Sequence, residues 1–514
     1  MLIKEIENEI QKYEEASSGQ LGRYLIAGKQ LSPGEVILRE KPLAVGPAVF
    51  NDNLLCFGCQ RTIPNLPLLL RFHCKTCGTA IFCSSPCEAR RGLHTPPECA
   101  AFKGSRHLRD LDWPEFRGII FPLRLWLLQE ADGDSWRALM GLEAHLEDRK
   151  DTRVWQDRQE TVVDVLRRLG LAENADNVLQ RICGIVDVNS FELRSPGTLE
   201  NSPLRGLYPK AALMAHDCRG NTHLTVDDDF NLTVYASLSI DKGAPILFNY
   251  TSSLLGTLER RAFLREGKYF NCNCAMCRDP EELGAHLSSI LCPRCREGFL
   301  GVEDPDVGNP FVRKRNWICG YCGRSYSGKL VRSTLDLAQW KIIKSDHSRA
   351  KDLEELIKSL TRTFHPHHSL LLNLKQKLLA IYRKEMASLR PQKQILQRML
   401  ELCREFVEVL EIVEPGISRL KGIMLYEMHL PMVILSNRAY TSREISSEEL
   451  AVRLEEAARH LKKALSMLLL EPATTPEGLL AKRALQEYKT LRQNLEDVKS
   501  LPPAPKSTSF TCKK

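Results

Sequence analysis

Long hydrophobic runs, a dominant charge and a secretory leader are all lacking in this sequence. No stretch reaches the roughly 18 consecutive apolar residues of a membrane-spanning helix, and the apolar run at 119–128 is interrupted by Arg124. We expect that run to form a buried helix instead. The N-terminus lacks the charged, apolar and small-residue order of a signal peptide. We therefore expect a protein of the cytoplasm, the nucleus or both.

Neither sign of charge dominates the composition. The 72 basic and 64 acidic residues leave a net charge of +8, which permits an acidic partner without requiring nucleic acid. Basic stretches at 87–94 and 102–110 lack an aromatic stacking pattern or a base-reading helix, so direct nucleic-acid binding is not expected. A hydrophobic share of 43% and a charged share of 26% are typical of a globular chain, and the length suggests about three or four domains.

Cysteine, by contrast, is plentiful, with 18 residues. In a chain without a secretion signal, clustered thiols more often bind metal than form disulfides. The segment 56–99 holds eight candidate ligands, several in the C-x2-C spacing that brings two sulfurs to one tetrahedral zinc ion. Eight ligands close two such sites, and inert buried thiols would not explain the paired spacing. The candidates are Cys56, Cys59, Cys74, Cys77, Cys83, Cys87, His94 and Cys99.

The segment 56–99 also has few apolar residues for a core of its own. We expect metal binding to supply its folding free energy, about 10–16 kcal/mol per site in zinc-finger peptides. More generally, we expect metal ions rather than a large apolar interior to hold the loops of this protein together.

Two further cysteine groups follow later in the chain. Two C-x2-C pairs are typical of a zinc ribbon: Cys292, Cys295, Cys319 and Cys322. The other group has only three thiols, Cys272, Cys274 and Cys277, whereas a closed structural zinc site needs four ligands. Cys218 is the unpaired candidate for the fourth position. The sequence therefore predicts about four zinc ions per chain.

Local patterns divide the chain into a strand-containing part and a helical part. The stretches at 34–40 and 231–240 are rich in β-branched and aromatic residues and predict strands. Apolar residues recur at helical spacing in 369–384, 392–413 and 448–471, which suggests antiparallel helical pairs similar to tetratricopeptide repeats. Ser446 or Ser447 predicts the start of the last of these helices. A helix start also explains the histidine cluster at 365–368 better than a metal site does.

Six motifs occur in a fixed order. They are GRYLIAGKQLSPGEVILREKPL at 22–43, the Cys/His run at 56–99, VNSF at 188–191, GLYPKAALMAHDC at 206–218, ILFNY at 246–250 and YFNCNCAMC at 269–277. Together they resemble the SET and MYND domain protein family, and more narrowly its arthropod-type branch with an added zinc ribbon. The resemblance implies an α+β chain whose β-rich SET fold is threaded by a pseudoknot and interrupted by a MYND zinc finger. A cysteine-rich post-SET segment, a zinc ribbon and an all-α helical-repeat lobe follow.

The resemblance also implies domain boundaries. They are 1–55 for the N-terminal SET part, 56–99 for the MYND finger, 100–185 for a helical SET insertion, 186–252 for the core SET part, 253–285 for the post-SET zinc site, 286–330 for the zinc ribbon, 331–500 for the helical lobe and 501–514 for a disordered tail.

Ligand sets and site residues follow from the same resemblance. Interleaving in the finger assigns one zinc to Cys56, Cys59, Cys83 and Cys87, and the other to Cys74, Cys77, His94 and Cys99. The implied cofactor is S-adenosylmethionine, and Tyr250 would be the catalytic tyrosine of a lysine channel. The implied cofactor-binding residues are Gly22, Arg23, Tyr24, Ala215, His216, Tyr250 and Phe270.

Four features depart from the family pattern. One is Ala244-Pro245 in place of an acidic pair, which is expected to affect strand packing more than chemistry; the other three lie at the site. Ala215 replaces an asparagine that holds the cofactor, and Tyr24 replaces the second glycine of a Gly-x-Gly loop. Lys268 occupies the position of a second channel tyrosine, and in an extended segment the following Tyr269 would point the opposite way. Either Lys268 lines the channel, where it would repel a lysine or be methylated itself, or a one-residue slip restores Tyr269. His216 is expected to hydrogen-bond inside the knot rather than act as a base.

The function implied by the resemblance is an S-adenosylmethionine-dependent protein-lysine methyltransferase acting on histone or non-histone proteins. The alternative is a catalytically weak or inactive adaptor that binds partners through the MYND finger and the helical lobe. Expected partners are a lysine-containing protein such as a histone tail, and Pro-rich peptides at the finger. A monomer without membrane contact is expected.

Overall fold

A computed structural model describes residues 12–19, 21–48, 53–63, 72–90, 92–105, 107–108, 111–197, 202–302, 316–386 and 390–500. The tail at 501–514, for which the sequence predicts disorder, lies outside these residues. The mixed α+β architecture expected from the sequence is confirmed, with short strands in the first two thirds and long helices after residue 328.

The strands are short, and the described residues place them in six small sheets. The expected strands at 34–40 and 231–240 are confirmed as β3 and β11, which pair antiparallel. The strands are β1 (Tyr13–Ser18), β2 (Gly22–Ala27), β3 (Val36–Glu40), β4 (Val45–Pro47), β5 (Phe72–His73), β6 (Ile81–Phe82), β7 (Phe191–Arg194), β8 (Pro203–Gly206), β9 (Ala215–His216), β10 (Thr222–Val226), β11 (Leu232–Ala236), β12 (Leu247–Phe248), β13 (Ile290–Leu291), β14 (Phe299–Val302), β15 (Asn316–Cys319) and β16 (Ser325–Ser327).

A parallel pair, β9 with β12, joins two segments that an antiparallel hairpin separates in sequence. Asn221 fixes the pair, because its side-chain amide donates to the Pro245 carbonyl at 2.9 Å and its side-chain oxygen accepts from the Leu247 amide at 2.7 Å. Strand β2 joins them through an antiparallel bridge between Ile26 and Pro245. Three distant stretches of the chain therefore meet at one point.

Helices fill the region between β6 and β7. The apolar run at 119–128 lies mainly in α3, whose first turn is capped by the Asp112 side chain and whose Ile119–Leu125 stretch is buried, so the expectation of a buried helix is confirmed. A π-helix at Gln159–Val163 lies between α7 and α8. The helices are α1 (Ser85–Arg90), α2 (Pro96–Gly104), α3 (Trp113–Trp126), α4 (Leu128–Ala131), α5 (Gly133–Met140), α6 (Leu146–Arg149), α7 (Arg153–Arg158), α8 (Asp164–Arg168) and α9 (Asp176–Asn189).

Later helices flank the zinc-ribbon strands and build the C-terminal lobe. The Ser446 hydroxyl caps one of them by accepting from the Glu449 amide, and the His368 ring caps another by accepting from the Leu370 amide at 3.2 Å. Both helix starts predicted from the sequence are confirmed. The helices are α10 (Thr257–Lys268), α11 (Ala275–Arg278), α12 (Gly328–Lys344), α13 (Ala350–Leu360), α14 (Ser369–Glu385), α15 (Lys393–Val413), α16 (Arg419–Thr441), α17 (Ser447–Leu468) and α18 (Pro476–Lys499).

Large apolar cores correct one expectation from the sequence. One core joins the post-SET and zinc-ribbon cysteines to the helical lobe. A second joins the finger to the helices that follow it. A third lies among β2, β3, β4, β7, β8 and β11. The finger does not depend on metal alone, because Phe57 packs within 5.6 Å of Phe102 and 5.5 Å of Phe116, measured between ring centroids. The expectation that metal replaces an apolar interior was wrong, since the finger borrows its core from later helices.

Candidate metal centres and active site

Four groups of Cys and His ligands assemble in the described residues. In each group the ligand atoms lie within 4.8 Å of one another, and the memberships match those inferred from the sequence. The groups are Cys56/Cys59/Cys83/Cys87, Cys74/Cys77/His94/Cys99, Cys218/Cys272/Cys274/Cys277 and Cys292/Cys295/Cys319/Cys322. None of these cysteines forms a disulfide.

The spacing of the ligand atoms fits zinc. Tetrahedral coordination with Zn–S bonds of about 2.3 Å requires neighbouring sulfurs about 3.8 Å apart. Sulfur–sulfur distances in the four groups run from 3.4 Å for Cys56–Cys87 to 3.8 Å for Cys218–Cys272. All four groups can therefore hold a zinc ion without rearrangement of the backbone.

The finger site that contains His94 has a buried support that sequence reasoning missed. The Nε2 atom of His94 faces Cys77 Sγ at 3.6 Å, while its Nδ1 atom donates to the Glu98 carboxylate at 2.7 Å. Arg124 donates its Nε–H to the other Glu98 oxygen at 2.7 Å. This carboxylate orients the ring of the metal-binding histidine. Although burial opposes ionisation, Arg124 and His94 hold the pKa of Glu98 below its usual value.

The Cys218 site has a buried cation beside it. Arg260 in α10 is 0% exposed and points Nη2 at Cys277 Sγ, 3.8 Å away, and at a Glu282 oxygen, 3.3 Å away. Four thiolates around one zinc ion leave two negative charges uncompensated. The Arg260 guanidinium offsets part of that charge inside the protein.

His216 connects the Cys218 site to Tyr250. Its Nε2 atom lies 3.4 Å from Cys218 Sγ, and its Nδ1 atom accepts from the Tyr250 amide at 3.1 Å. Burial lowers the pKa of His216 to about 4, so the ring is neutral near pH 7. The expectation that His216 hydrogen-bonds inside the fold is confirmed, and its ring lies between the Tyr250 backbone and the Cys218 thiol.

Aromatic rings converge around His216. Its centroid lies 5.1 Å from that of Tyr250 and 5.7 Å from that of Phe270. The Tyr250 hydroxyl donates to the Met214 carbonyl, and burial raises the pKa of Tyr250 to about 12. The hydroxyl therefore stays protonated near pH 7 and donates its proton to the Met214 carbonyl. Ala215 directly precedes His216 in β9 and is buried, and its side chain offers no polar group.

Lys268 corrects the expectation of an extended segment. It is the last residue of α10, and Tyr269 follows in the left-handed conformation with φ 61°. The Lys268 side chain lies over the Tyr250 ring, with its Nζ atom 5.6 Å from the ring centroid. Tyr269 turns away and packs on His145, 4.9 Å between ring centroids. No slip therefore places Tyr269 beside Tyr250.

The remaining predicted cofactor residues lie on β2, which contacts β9. Gly22 and Arg23 are exposed and Tyr24 is half-buried. Arg23 donates to the Gly141 carbonyl, and the adjacent Glu143 carboxylate accepts from the Ala144 and His145 amides at 2.9 Å. The loop at 141–145 thus borders the site, although no sequence signal identified it.

Comparison with known proteins finds homologues that are named SET domain-containing proteins or histone-lysine methyltransferases. The chain is 27% identical over 378 residues to the SET domain-containing protein SmydA-8 of Drosophila melanogaster, covering 72% of this chain and 77% of that one. It is 26% identical over 437 residues to the histone-lysine N-methyltransferase ASHR1 of Arabidopsis thaliana, covering 79% and 84% of the two chains. The resemblance stated from the motifs is confirmed by these homologues.

One solved structure also aligns with this chain, at low similarity. A solved SET domain of LSMT, bound to lysine and AdoHcy, aligns with 82% of this chain and 89% of that one at 14% identity and a TM-score of 0.24. No family model matches the chain. Within the described part of the chain, no helix has both the length and the apolar character needed to cross a membrane.

Proposed function

We propose that this chain, whose homologues are SET and MYND domain proteins, is an S-adenosylmethionine-dependent protein-lysine methyltransferase acting on histone or non-histone proteins. One observation carries the proposal: the rings of Tyr250 and Phe270 both lie next to the His216 ring, beside the Cys218 cluster. Their centroids are 5.1 Å and 5.7 Å, respectively, from the His216 centroid. The homologue ASHR1 is named a histone-lysine N-methyltransferase.

Tyr250 would act by position rather than by proton transfer. A hydroxyl whose pKa is raised to about 12 by burial cannot accept a proton near pH 7. Its bond to the Met214 carbonyl fixes the orientation of the ring. Holding an amine in line with a methyl donor is worth up to about 7–11 kcal/mol of the barrier, so we assign Tyr250 the task of alignment.

The residues around this point fit the cofactor, which would supply an electrophilic methyl group. Gly22 has φ +66°, and a Cβ atom added there would meet no atom within 4 Å, so the backbone faces open space. Phe270 and His216 offer ring faces to an adenine. Ala215 lacks the amide of the family pattern, and one lost hydrogen bond weakens binding by about 0.5–1.5 kcal/mol.

Partners follow from the same proposal. The substrate would be a lysine-containing protein, and the MYND finger at 56–99 would bind Pro-rich peptides. We propose action as a monomer in the cytoplasm, the nucleus or both, without direct nucleic-acid binding. The domain boundaries implied by the resemblance are retained as part of this proposal.

Cofactor binding separates the enzyme from the adaptor alternative, which the Lys268 ammonium beside Tyr250 and the missing amide at Ala215 favour. The zinc-loaded chain is titrated with S-adenosylmethionine by calorimetry and by thermal shift. Saturable heat and a raised melting temperature are expected. Absence of both would leave the adaptor as the function.

Methyl transfer tests the catalytic assignment. With a labelled cofactor and a cell extract, we expect Tyr250→Phe to lower transfer roughly 10–100-fold, because a less firmly held ring misaligns the acceptor. Tyr440→Phe is the matched control, since Tyr440 is exposed on α16 in the helical lobe. Equal rates for Tyr250→Phe and the wild type would remove Tyr250 from the site.

A further inference from the structure

Lys268 lies where its amine faces the proposed catalytic tyrosine. The helix α10 ends at Lys268, and the left-handed Tyr269 then turns the chain away. Lys268 Nζ donates to the Val188 carbonyl and lies 5.6 Å from the Tyr250 ring centroid. The side chain therefore lies between the end of α9 and Tyr250.

No carboxylate pairs with this amine among the described residues. Two carboxylates, Asp187 and Glu192, act on the amine through their charge without pairing with it. Asp187 is committed to three arginines: Arg149 at 2.8 Å, Arg158 at 2.5 Å and Arg205 at 3.8 Å. Buried lysines elsewhere differ, because Lys375 pairs with Glu405 and Lys421 pairs with Glu411. Lys268 is thus a partly buried lysine held by a carbonyl and a ring face.

Its surroundings raise the share of neutral amine above that of an ordinary lysine, although the ammonium still predominates at pH 7. Burial and, to a lesser degree, the Arg205 charge lower the pKa of Lys268 to about 8. Only a neutral amine has the lone pair that attacks carbon. A neutral amine that donates one N–H to Val188 keeps that lone pair free.

We propose that Lys268 is itself a methyl acceptor of this site, an inference that rests on the proposed function. The Lys268 nitrogen forms a bond to the methyl carbon of the sulfonium donor S-adenosylmethionine. The carbon–sulfur bond breaks with its electron pair left on sulfur, which becomes a neutral thioether. The methylated ammonium then releases a proton to water. A lysine at this position makes the chain its own substrate.

Mapping of label on the full chain tests the proposal. The zinc-loaded protein is incubated alone with S-adenosylmethionine carrying a labelled methyl group, at pH 7 and pH 9, and its peptides are analysed by mass spectrometry. Label is expected on Lys268, about tenfold faster at pH 9, since the neutral fraction rises by that factor around a pKa near 8. The peptides with Lys375 and Lys421 serve as internal controls and should stay unlabelled.

A second measurement needs no methyl donor. Competitive acetylation of all lysines with acetic anhydride should give Lys268 a midpoint near pH 8, against about 10.4 for ordinary exposed lysines. A midpoint near 10.4 would remove the chemical basis of the proposal.

Three further results would also bear against the inference. Saturable cofactor binding with transfer to other proteins, but no label on Lys268 at pH 9, would leave the proposed function standing and refute self-methylation. An unchanged amount of label on Lys268→Arg or Lys268→Met would place the acceptor elsewhere. No cofactor binding at all would refute the proposed function and this inference together.

Discussion

Glu98 and Arg260 are single buried residues that support metal sites without contacting the metal. Glu98 orients the His94 ring, and Arg260 offsets thiolate charge at Cys277. Both are 0% exposed, so each depends on a partner for its charge: Arg124 for the first and Glu282 for the second. Loss of either partner would leave a charge in a low-dielectric interior.

Replacement of Glu98 should weaken the finger site selectively. We expect Glu98→Gln to lower zinc affinity at that site about 10–100-fold. It should also lower the free energy of unfolding by about 3–5 kcal/mol, because Arg124 loses its buried counter-charge. Zinc release to a chromogenic chelator and urea unfolding measure the two effects. Glu130→Gln, at an exposed position of α4, is the control, and equal zinc release from both variants would disprove the orienting role.

At the scale of elements, the connection between α15 and α16 docks the helical lobe on the strand region. Gly416 lies in this connection with φ +83°, and the next residue, Ile417, donates its amide to the Ser237 carbonyl at 3.0 Å. A Cβ atom at Gly416 would lie 2.0 Å from that carbonyl oxygen. Close approach of two backbones therefore requires glycine here.

Gly416→Ala should loosen this contact. A matched control exists in Gly243, which has φ +80° but no atom within 4 Å of an added Cβ. Gly243→Ala should cost only the left-handed strain, about 1–2 kcal/mol, whereas Gly416→Ala should cost clearly more in thermal or urea unfolding. Equal losses would show that the lobe does not rely on this approach.

At the scale of the whole molecule, the lobe also binds the strand region through a charged cluster. Glu471 is 1% exposed in its side chain and lies 3.0 Å from His223 in β10 and 2.8 Å from Arg419 in α16. The contact with His223 joins residues 248 positions apart. Together the two contacts hold the helical lobe against the sheet formed by β10, β11 and β3.

Acid should weaken the contacts that Glu471 makes with His223 and Arg419. Although burial opposes ionisation, His223 and Arg419 hold the pKa of Glu471 below its usual value. A carboxylate with a depressed folded pKa stabilises the protein above its unfolded pKa of about 4.3, and that stability is lost as the pH falls toward the lower folded value. Glu471→Gln should lower the free energy of unfolding by about 2–3 kcal/mol at pH 7. It should also show a flatter acid dependence than the wild type. A parallel acid dependence in both proteins would contradict this.

Chelation should affect the parts of the molecule unequally. Elemental analysis should give close to four zinc ions per chain, one for each ligand group. After removal of zinc by a strong chelator, we expect helical circular dichroism to persist, because α13–α18 share a large apolar core. Cofactor binding should disappear, because the Cys218 loop that carries His216 is released. Retention of cofactor binding by a metal-free chain would show that the Cys218 cluster does not hold the site.

The sequence by itself determined the metal ligands, because a C-x2-C turn brings two sulfurs together within four residues. It also determined the long helices, whose apolar spacing and capping residues are equally local. Even the link from Cys218 to Cys272 followed from counting ligands. The cofactor and catalytic assignments remain proposals, since they came from resemblance.

Tertiary structure alone decided the contacts that join distant positions. The direction of Lys268 was set by the end of α10 and the left-handed Tyr269, where the sequence suggested an extended segment. Glu98 became a support for zinc only because α3 places Arg124 beside it, and Glu471 meets His223 across 248 positions. Local patterns record bond geometry within a few residues. Long-range charge pairing and shared cores depend on packing that no single stretch encodes.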